Sequence, residues 1–233
     1  MTVPAVHAHR GSPDPATGVR ENTLDAFFRA RRLGAEGVEL DVRRTVDGAL
    51  AVHHGPGILG VGPIHELHSD QLPGWVPRLT DALEACEGLD VNIELKNLPV
   101  EPGFDPDERM ARAVAELVAT TGRATTVVVS SFWPGSLDAV RQDRPELSTG
   151  LLLASWFDPA VGVQHAVEHG CRALHPHVSL VSAALVADAR RAGLSLAVWT
   201  VDDRSQVGAM AGLGVDTVIT DDVPLALSAL GRA

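Results

Sequence analysis

Glu39, Asp41 and Glu94 are carboxylates set into apolar runs of the chain rather than into polar ones. Three such groups converging in one buried place repel each other, and a hard divalent cation removes that repulsion. An all-oxygen donor set favours Mg²⁺ or Ca²⁺ over zinc. Salt bridges from Glu39 and Asp41 to Arg43, Arg44 or Lys96 would serve equally well, and spacing does not choose between the two. His9 and His54 are the candidate acid–base pair, because imidazole gives or takes a proton near neutral pH. The chain has 10 histidines, so a lone one carries little weight. His7, His53, His65, His68, His165, His169 and His177 are read as ordinary, and His7 and His53 are expected to point away from the candidates beside them. Arg10 and Lys96 place positive charge next to the carboxylates. That suits an anionic substrate, phosphate above all, or simple charge balance. Trp199 ends an apolar run and either walls a pocket or fills the core.

These residues need a frame. Eight short apolar runs (3–9, 37–42, 90–95, 126–131, 149–154, 172–176, 194–200 and 215–220) alternate with longer amphipathic stretches. Helices are expected over 23–33 with Asn22 as N-cap, 108–120, 134–141, 159–169, 182–192 and 204–213. Gly34, Gly88, Gly122, Gly170, Gly193 and Gly214 stand where helices should stop. Eight strands alternating with helices predict a parallel (β/α)8 TIM barrel, with a doubly wound open sheet as the alternative. The polar residues within or ending the runs, from His9 and Arg10 through Glu39, Asp41, Glu94, Lys96, Ser130, Ser131 and His175 to Trp199 and Asp221, then gather toward the carboxyl face.

Residues 38–54 break the alternation as a β-hairpin extension after the second strand. Two extended runs meet at Asp47-Gly48, a two-residue hairpin signal. That turn pairs Arg43 with Val52 and Asp41 with His54, and period two puts Glu39, Asp41, Val52 and His54 on matching faces.

At 233 residues the chain is read as a single catalytic barrel without a large insertion domain. A formal net charge of −11 argues against nucleic acid and against stable association with anionic membranes. Cys86 and Cys171 form neither a disulfide framework nor a metal motif and are read as buried apolar residues. No run of 18 apolar residues is present, and the start Met1-Thr2-Val3-Pro4 has no leader character, so a cytoplasmic location is expected. The oligomeric state stays open.

Taken together, the motifs resemble the glycerophosphodiester phosphodiesterase family. His9-Arg10-Gly11 with Glu21-Asn22-Thr23 is similar to the family's opening pair. Glu39-Leu40-Asp41-Val42, Thr45, Asp47-Gly48 and His54 are similar to its central signature, and Ile93-Glu94-Leu95-Lys96 to its next strand. Ser130-Ser131-Phe132, Val198-Trp199-Thr200-Val201 and Ile219-Thr220-Asp221 with Pro224 match later landmarks. The resemblance implies a TIM barrel in lipid and glycerol metabolism. It would hydrolyse small glycerophosphodiesters to glycerol 3-phosphate and an alcohol with one divalent cation, Mg²⁺ or Ca²⁺. It also implies that Glu39, Asp41 and Glu94 hold the metal, His9 and His54 form the acid–base pair, and Arg10 and Lys96 bind phosphate. Phe132 and Trp199 would line the pocket and Glu21 would support it. The chain departs from the pattern at Gly55, where the family usually has Asp, and at 56–62, where an arginine-containing stretch is replaced. Two other readings follow: a lysophospholipase D-like enzyme acting on a lipid, and a degenerate barrel that binds a phosphodiester without turnover.

Overall fold

The computed structural model describes residues 3–232. Met1 and Thr2, on which the expectation about the leader begins, and Ala233 lie outside the described residues. In chain order the elements are β1 (Ala5–Ala8), α1 (Leu24–Arg32), β2 (Gly37–Arg44), β3 (Leu50–Val52), β4 (Gly57–Ile58), β5 (Gly62–Pro63), α2 (Leu79–Ala85) and β6 (Asp90–Leu95). There follow α3 (Arg109–Thr120), β7 (Val127–Ser131), α4 (Pro134–Asp143), β8 (Ser148–Leu153), α5 (Pro159–Glu168) and β9 (Ala173–Pro176). The chain ends with α6 (Ala183–Arg191), β10 (Ser195–Val198), α7 (Arg204–Leu213), β11 (Thr217–Thr220) and α8 (Val223–Ala229).

Each of the eight apolar runs is a barrel strand. β1, β2, β6, β7, β8, β9, β10 and β11 are parallel neighbours, and β1 pairs with both β2 and β11, which closes the barrel. The predicted (β/α)8 barrel is therefore the observed fold. Its main apolar layer lies between strands and helices, where Val38, Leu40 and Val42 of β2 belong to the same buried cluster as Phe27 and Ala30 of α1. Burial on the outer face explains why these strands read as nearly continuous apolar runs. Among the described residues no helix is long and apolar enough to cross a membrane. Cys86 and Cys171 are free and buried.

The hairpin register differs from expectation by one residue. Val42 pairs with Val52, Arg43 with Ala51 and Arg44 with Leu50. The connection is a three-residue loop, with Gly48 at φ 88° after the turn closed by Gly48 N–H donating to Thr45 O. The Thr45 hydroxyl selects it by donating to Asp47 Oδ1 at 2.5 Å and accepting from Ala49 N–H at 2.9 Å. Asp41 thus stands opposite His53, whose N–H donates to Asp41 O at 3.0 Å. Strand alternation does not carry His54 to the carboxylates; it reaches them because β3 stops at Val52 and the chain turns.

A second correction concerns α1. Its N-cap is Thr23, whose hydroxyl accepts from Ala26 N–H, and Asn22 has other partners described below.

The barrel interior is polar. His7 lies two residues before His9 and shares its inward face, contrary to the expectation that it points away. Its ring occupies the space above Gly37, where a Cβ would come within 2.5 Å of it. The His175 ring fills the space over Gly150 in the same way, 2.6 Å from where a Cβ would sit. Both histidines line a cavity of about 170 Å³ toward the amino ends of the strands, so His175 sits deep in the barrel rather than at its carboxyl face.

His175 is 2% exposed and its Nδ1 has no partner. Burial, with His7 adding to it, lowers its pKa from 6.5 to about 3. The unfolded chain therefore takes the proton first. Stability from this group is complete above pH 6.5 and is lost as pH falls toward 3. We expect His175→Gln to make the loss of unfolding free energy below pH 6.5 shallower by about 1.4 kcal/mol per pH unit. Urea unfolding of both proteins at several pH values between 4.5 and 7 checks this, and parallel slopes would refute it.

Candidate active site

The site is built where the strands end. Just past β1, Arg10 and Gly11 both take positive φ, 52° and 78°. Gly11 is required there, because a Cβ would lie 2.8 Å from Ala26 Cβ. This turn brings Arg10 N–H to Glu39 Oε2 at 2.9 Å and frees the His9 ring to face the barrel axis. His9 Nδ1 lies 2.7 Å from Asp221 Oδ1. A carboxylate only accepts, so Nδ1 carries the hydrogen and donates. His9 Nε2 then points inward, 3.9 Å from Glu39 Oε2.

Parallel pairing of β2 and β6 sets Asp41 beside Glu94 and Glu39 beside Asn92. Glu39, Asp41 and Glu94 are 4%, 1% and 8% exposed, and one oxygen of each lies within 4.8 Å of the others. Lys96 Nζ is 2.5 Å from Glu94 Oε1 and 3.0 Å from Asp41 Oδ1. Arg10 Nε is 3.3 Å from Asp41 Oδ2, and its Nη1 donates to Glu21 at 3.0 Å. Asn22, at φ 55°, clamps Asp41 twice: Nδ2 donates to Oδ2 at 2.8 Å, and Oδ1 accepts from Asp41 N–H at 3.1 Å. Salt bridges thus serve Asp41 and Glu94, through Lys96 and Arg10. Arg43 does not take part; it donates to the His54 carbonyl at 2.8 Å and pairs with Glu101 at 2.9 Å, fixing the loop that carries His54.

Among the described residues Glu39 lacks an Arg or Lys side-chain partner, and its Oε1 is buried with no hydrogen bond. Burial, then repulsion from Asp41, pushes its carboxyl up to about 8. Burial raises Glu94 to about 6 against the pull of Lys96. Asp41 is buried too, yet Lys96 and Arg10 outweigh that and hold it below the usual carboxylate range. Glu39 therefore takes a proton or a cation at neutral pH. The unpartnered oxygen, the three converging carboxylates and the all-oxygen donor set fit a hard divalent ion. The histidines are tuned apart. Burial would lower His9, but the Asp221 hydrogen bond and Glu39 raise it. Burial, with Lys96 and Arg10, lowers His54 to about 4 against Asp41.

His9, Arg10, Glu39, His54, Glu94, Lys96, Phe132 and Trp199 line one cavity of about 220 Å³ with Asn92, Leu152 and Ile219. Asp41 lies behind them. Phe132 and Trp199 meet edge to face with centroids 5.7 Å apart, and Trp199 Nε1 donates to His175 O at 2.8 Å. Ser130 is buried, with its hydroxyl unpartnered. Ser131 is a loop staple, donating to Leu95 O and accepting from Trp133 N–H. His53 turns away from the cavity toward Trp75, as expected, with centroids 5.9 Å apart.

Sequence reasoning assigned no role to Asp221 and took Asn22 for a helix cap. The signal for Asp221 was available: closing the barrel pairs Ala8 with Thr220, which puts the next residues, His9 and Asp221, side by side.

A barrel whose carboxyl mouth gathers buried carboxylates, two histidines and two cations defines an enzyme for an anionic substrate. The sequence model of the glycerophosphoryl diester phosphodiesterase family matches residues 9–225. A glycerophosphodiester phosphodiesterase of Caldanaerobacter subterraneus subsp. tengcongensis is 33% identical, covering 93% of each chain. The crystal structure of a glycerophosphodiester phosphodiesterase from Parabacteroides distasonis superposes with a TM-score of 0.82 at 25% identity, over 98% of this chain and 97% of that one. An Oleispira antarctica phosphodiesterase, solved with its product sn-glycerol-3-phosphate, shares the fold with a TM-score of 0.82 at 23% identity, over 99% and 98% of the two chains. The chain belongs to the glycerophosphoryl diester phosphodiesterase family and is a phosphoric diester hydrolase.

Proposed function

We propose that the described chain acts as one catalytic barrel that hydrolyses glycerophosphodiesters to glycerol 3-phosphate and an alcohol, using His9 and His54 as its acid–base pair. The observation that carries this reading is the single cavity in which two oppositely tuned histidines face a partly uncompensated carboxylate cluster. Glu39, Asp41 and Glu94 would hold one Mg²⁺ or Ca²⁺ ion. Once bound, it would supply positive charge against the non-bridging phosphate oxygens. Arg10 and Lys96, at the cavity wall, bind and orient those oxygens. Phe132 and Trp199 give the glycerol or alcohol group an apolar wall.

His54 is neutral at pH 7 and takes a proton from the attacking water as the new P–O bond forms. His9, whose charged form Asp221 favours, gives its Nε2 proton to the departing alkoxide as the old P–O bond breaks. Asp221 holds the ring in the orientation that this transfer needs.

The test is release of glycerol 3-phosphate from glycerophosphocholine by the purified protein supplied with Mg²⁺ or Ca²⁺. Metal-dependent turnover is expected. Measurable binding of the diester without turnover under either metal would overturn the proposal in favour of a binding-only barrel.

A further inference from the structure

Among the described residues, six of the eleven exposed large apolar side chains, including the three most exposed, lie at one end of the molecule. Leu59, Val100 and Trp156 are 101%, 91% and 82% exposed, and Val61, Trp75 and Trp133 are also exposed. All six lie on segments that run from the carboxyl end of a barrel strand to the next helix. Leu59, Val61 and Trp75 follow β2, Val100 follows β6, Trp133 follows β7 and Trp156 follows β8. Those four strands are consecutive in the barrel, so the loops that carry these side chains follow one another along an arc of the carboxyl face. Leu59 is at the tip of the β4–β5 hairpin, turned by Gly60 at φ 78°, a few residues beyond His54. Across the mouth, in the segments that follow the neighbouring strands β10 and β11, stand the exposed Asp202, Asp203, Asp221 and Asp222.

A monomer rarely shows such a cluster without a partner for it. We propose that this arc docks reversibly onto a zwitterionic lipid surface. The inference rests on the functional reading above, which makes the adjoining cavity a phosphodiester site. Two observations choose this occupant. The loops that carry the arc rise from the carboxyl ends of strands that also line the cavity, so a protein seated there would cover the entrance, whereas a lipid surface presents phosphodiesters to it. The charge is also complementary. A chain of net charge −11 with an acidic arc at its mouth is repelled by anionic lipid, but it matches the ammonium groups that outline a choline headgroup surface. Tryptophan, with an apolar body and a polar N–H, suits the headgroup boundary. The apolar contact is confined to a few loop tips, which makes the association reversible.

The experiment is co-sedimentation of the full chain with phosphatidylcholine vesicles, with tryptophan emission followed in parallel. Turnover of soluble glycerophosphocholine is the control. The unsubstituted protein is expected to bind with a blue shift of its emission. The double variant Leu59→Glu, Val100→Glu is expected to bind at least about tenfold more weakly and to keep soluble turnover unchanged, because both side chains are fully or almost fully exposed and outside the cavity. Equal binding by the double variant, no binding by the unsubstituted protein, or tighter binding to phosphatidylserine vesicles would each overturn the proposal. Self-association that the double variant abolishes would also overturn it, by assigning the arc to a second copy of this chain. Failure of the functional reading shows separately, as absent turnover of glycerophosphocholine by the unsubstituted protein.

Discussion

His54→Ala is expected to lower kcat on glycerophosphocholine by on the order of 10²- to 10⁴-fold, the usual contribution of a positioned general base. His9→Ala should cost as much on that substrate, because an alkoxide needs a proton to leave. The two variants separate on a phosphodiester with a nitrophenolate leaving group. That anion departs without protonation, so the His9 variant should recover most of its activity while the His54 variant stays impaired. The asymmetry follows from the surroundings of the two rings. His9 is tied to Asp221 at 2.7 Å, which favours its charged form, while burial, helped by Lys96 and Arg10, disfavours that of His54. Asp221→Asn should resemble a weak His9→Ala, again relieved by the activated leaving group. Steady-state kinetics on both substrates provide the check, and equal recovery of both histidine variants would refute the assignment.

The second large effect is an opposed response to pH and to metal at Glu39. Without metal, its carboxylate is an unfavourable charge, buried and repelled by Asp41. Its folded pKa of about 8 lies above the ordinary 4.5, so its contribution to stability is complete below 4.5 and is lost as pH rises from there to about 8. Glu39→Gln should therefore raise the melting temperature of metal-free protein at pH 9. With Mg²⁺ or Ca²⁺ that difference should shrink, because only the protein with the carboxylate gains the full effect of the ion. A ligand at a hundredfold its Kd stabilises by about 2.7 kcal/mol, which in a chain of this size moves Tm by roughly 5–10 °C. The Gln variant should lose most of that increment, and its turnover with it. Thermal unfolding with EDTA and with each ion gives the answer; a metal-induced increment of equal size in both proteins would exclude Glu39 as a ligand. The absence of any increment in the unsubstituted protein would mean that Lys96 and Arg10 already satisfy the cluster.

Much of this was legible in the chain. Parallel strands buried on their outer face read as continuous apolar runs, so all eight could be counted, and most of the stretches between them read as helices. Polar residues embedded in or ending those runs are costly unless they serve a purpose, and the motifs around His9, Glu39, His54 and Glu94 recur in a set order that a family resemblance can use. These are local properties, set by side-chain type and by the two-residue period of a strand.

The remainder depended on contacts between distant or competing groups. The hairpin register turned on one hydroxyl, Thr45, which stabilises a three-residue loop where Asp47-Gly48 alone pointed to two. Asp221 acquired its place from barrel closure, which joins residues 212 apart. Asn22 abandoned the helix cap because a buried carboxylate offered it stronger partners. Arg43 and Lys96 competed for Asp41, and strand pairing gave it to Lys96 while Glu101 and the His54 carbonyl took Arg43. The apolar arc at the mouth is invisible in one dimension, since its six residues come from four separate loops. Local pattern sets which face of an element a side chain occupies; which partner it meets there depends on how the sheet closes and on which polar groups burial leaves without water.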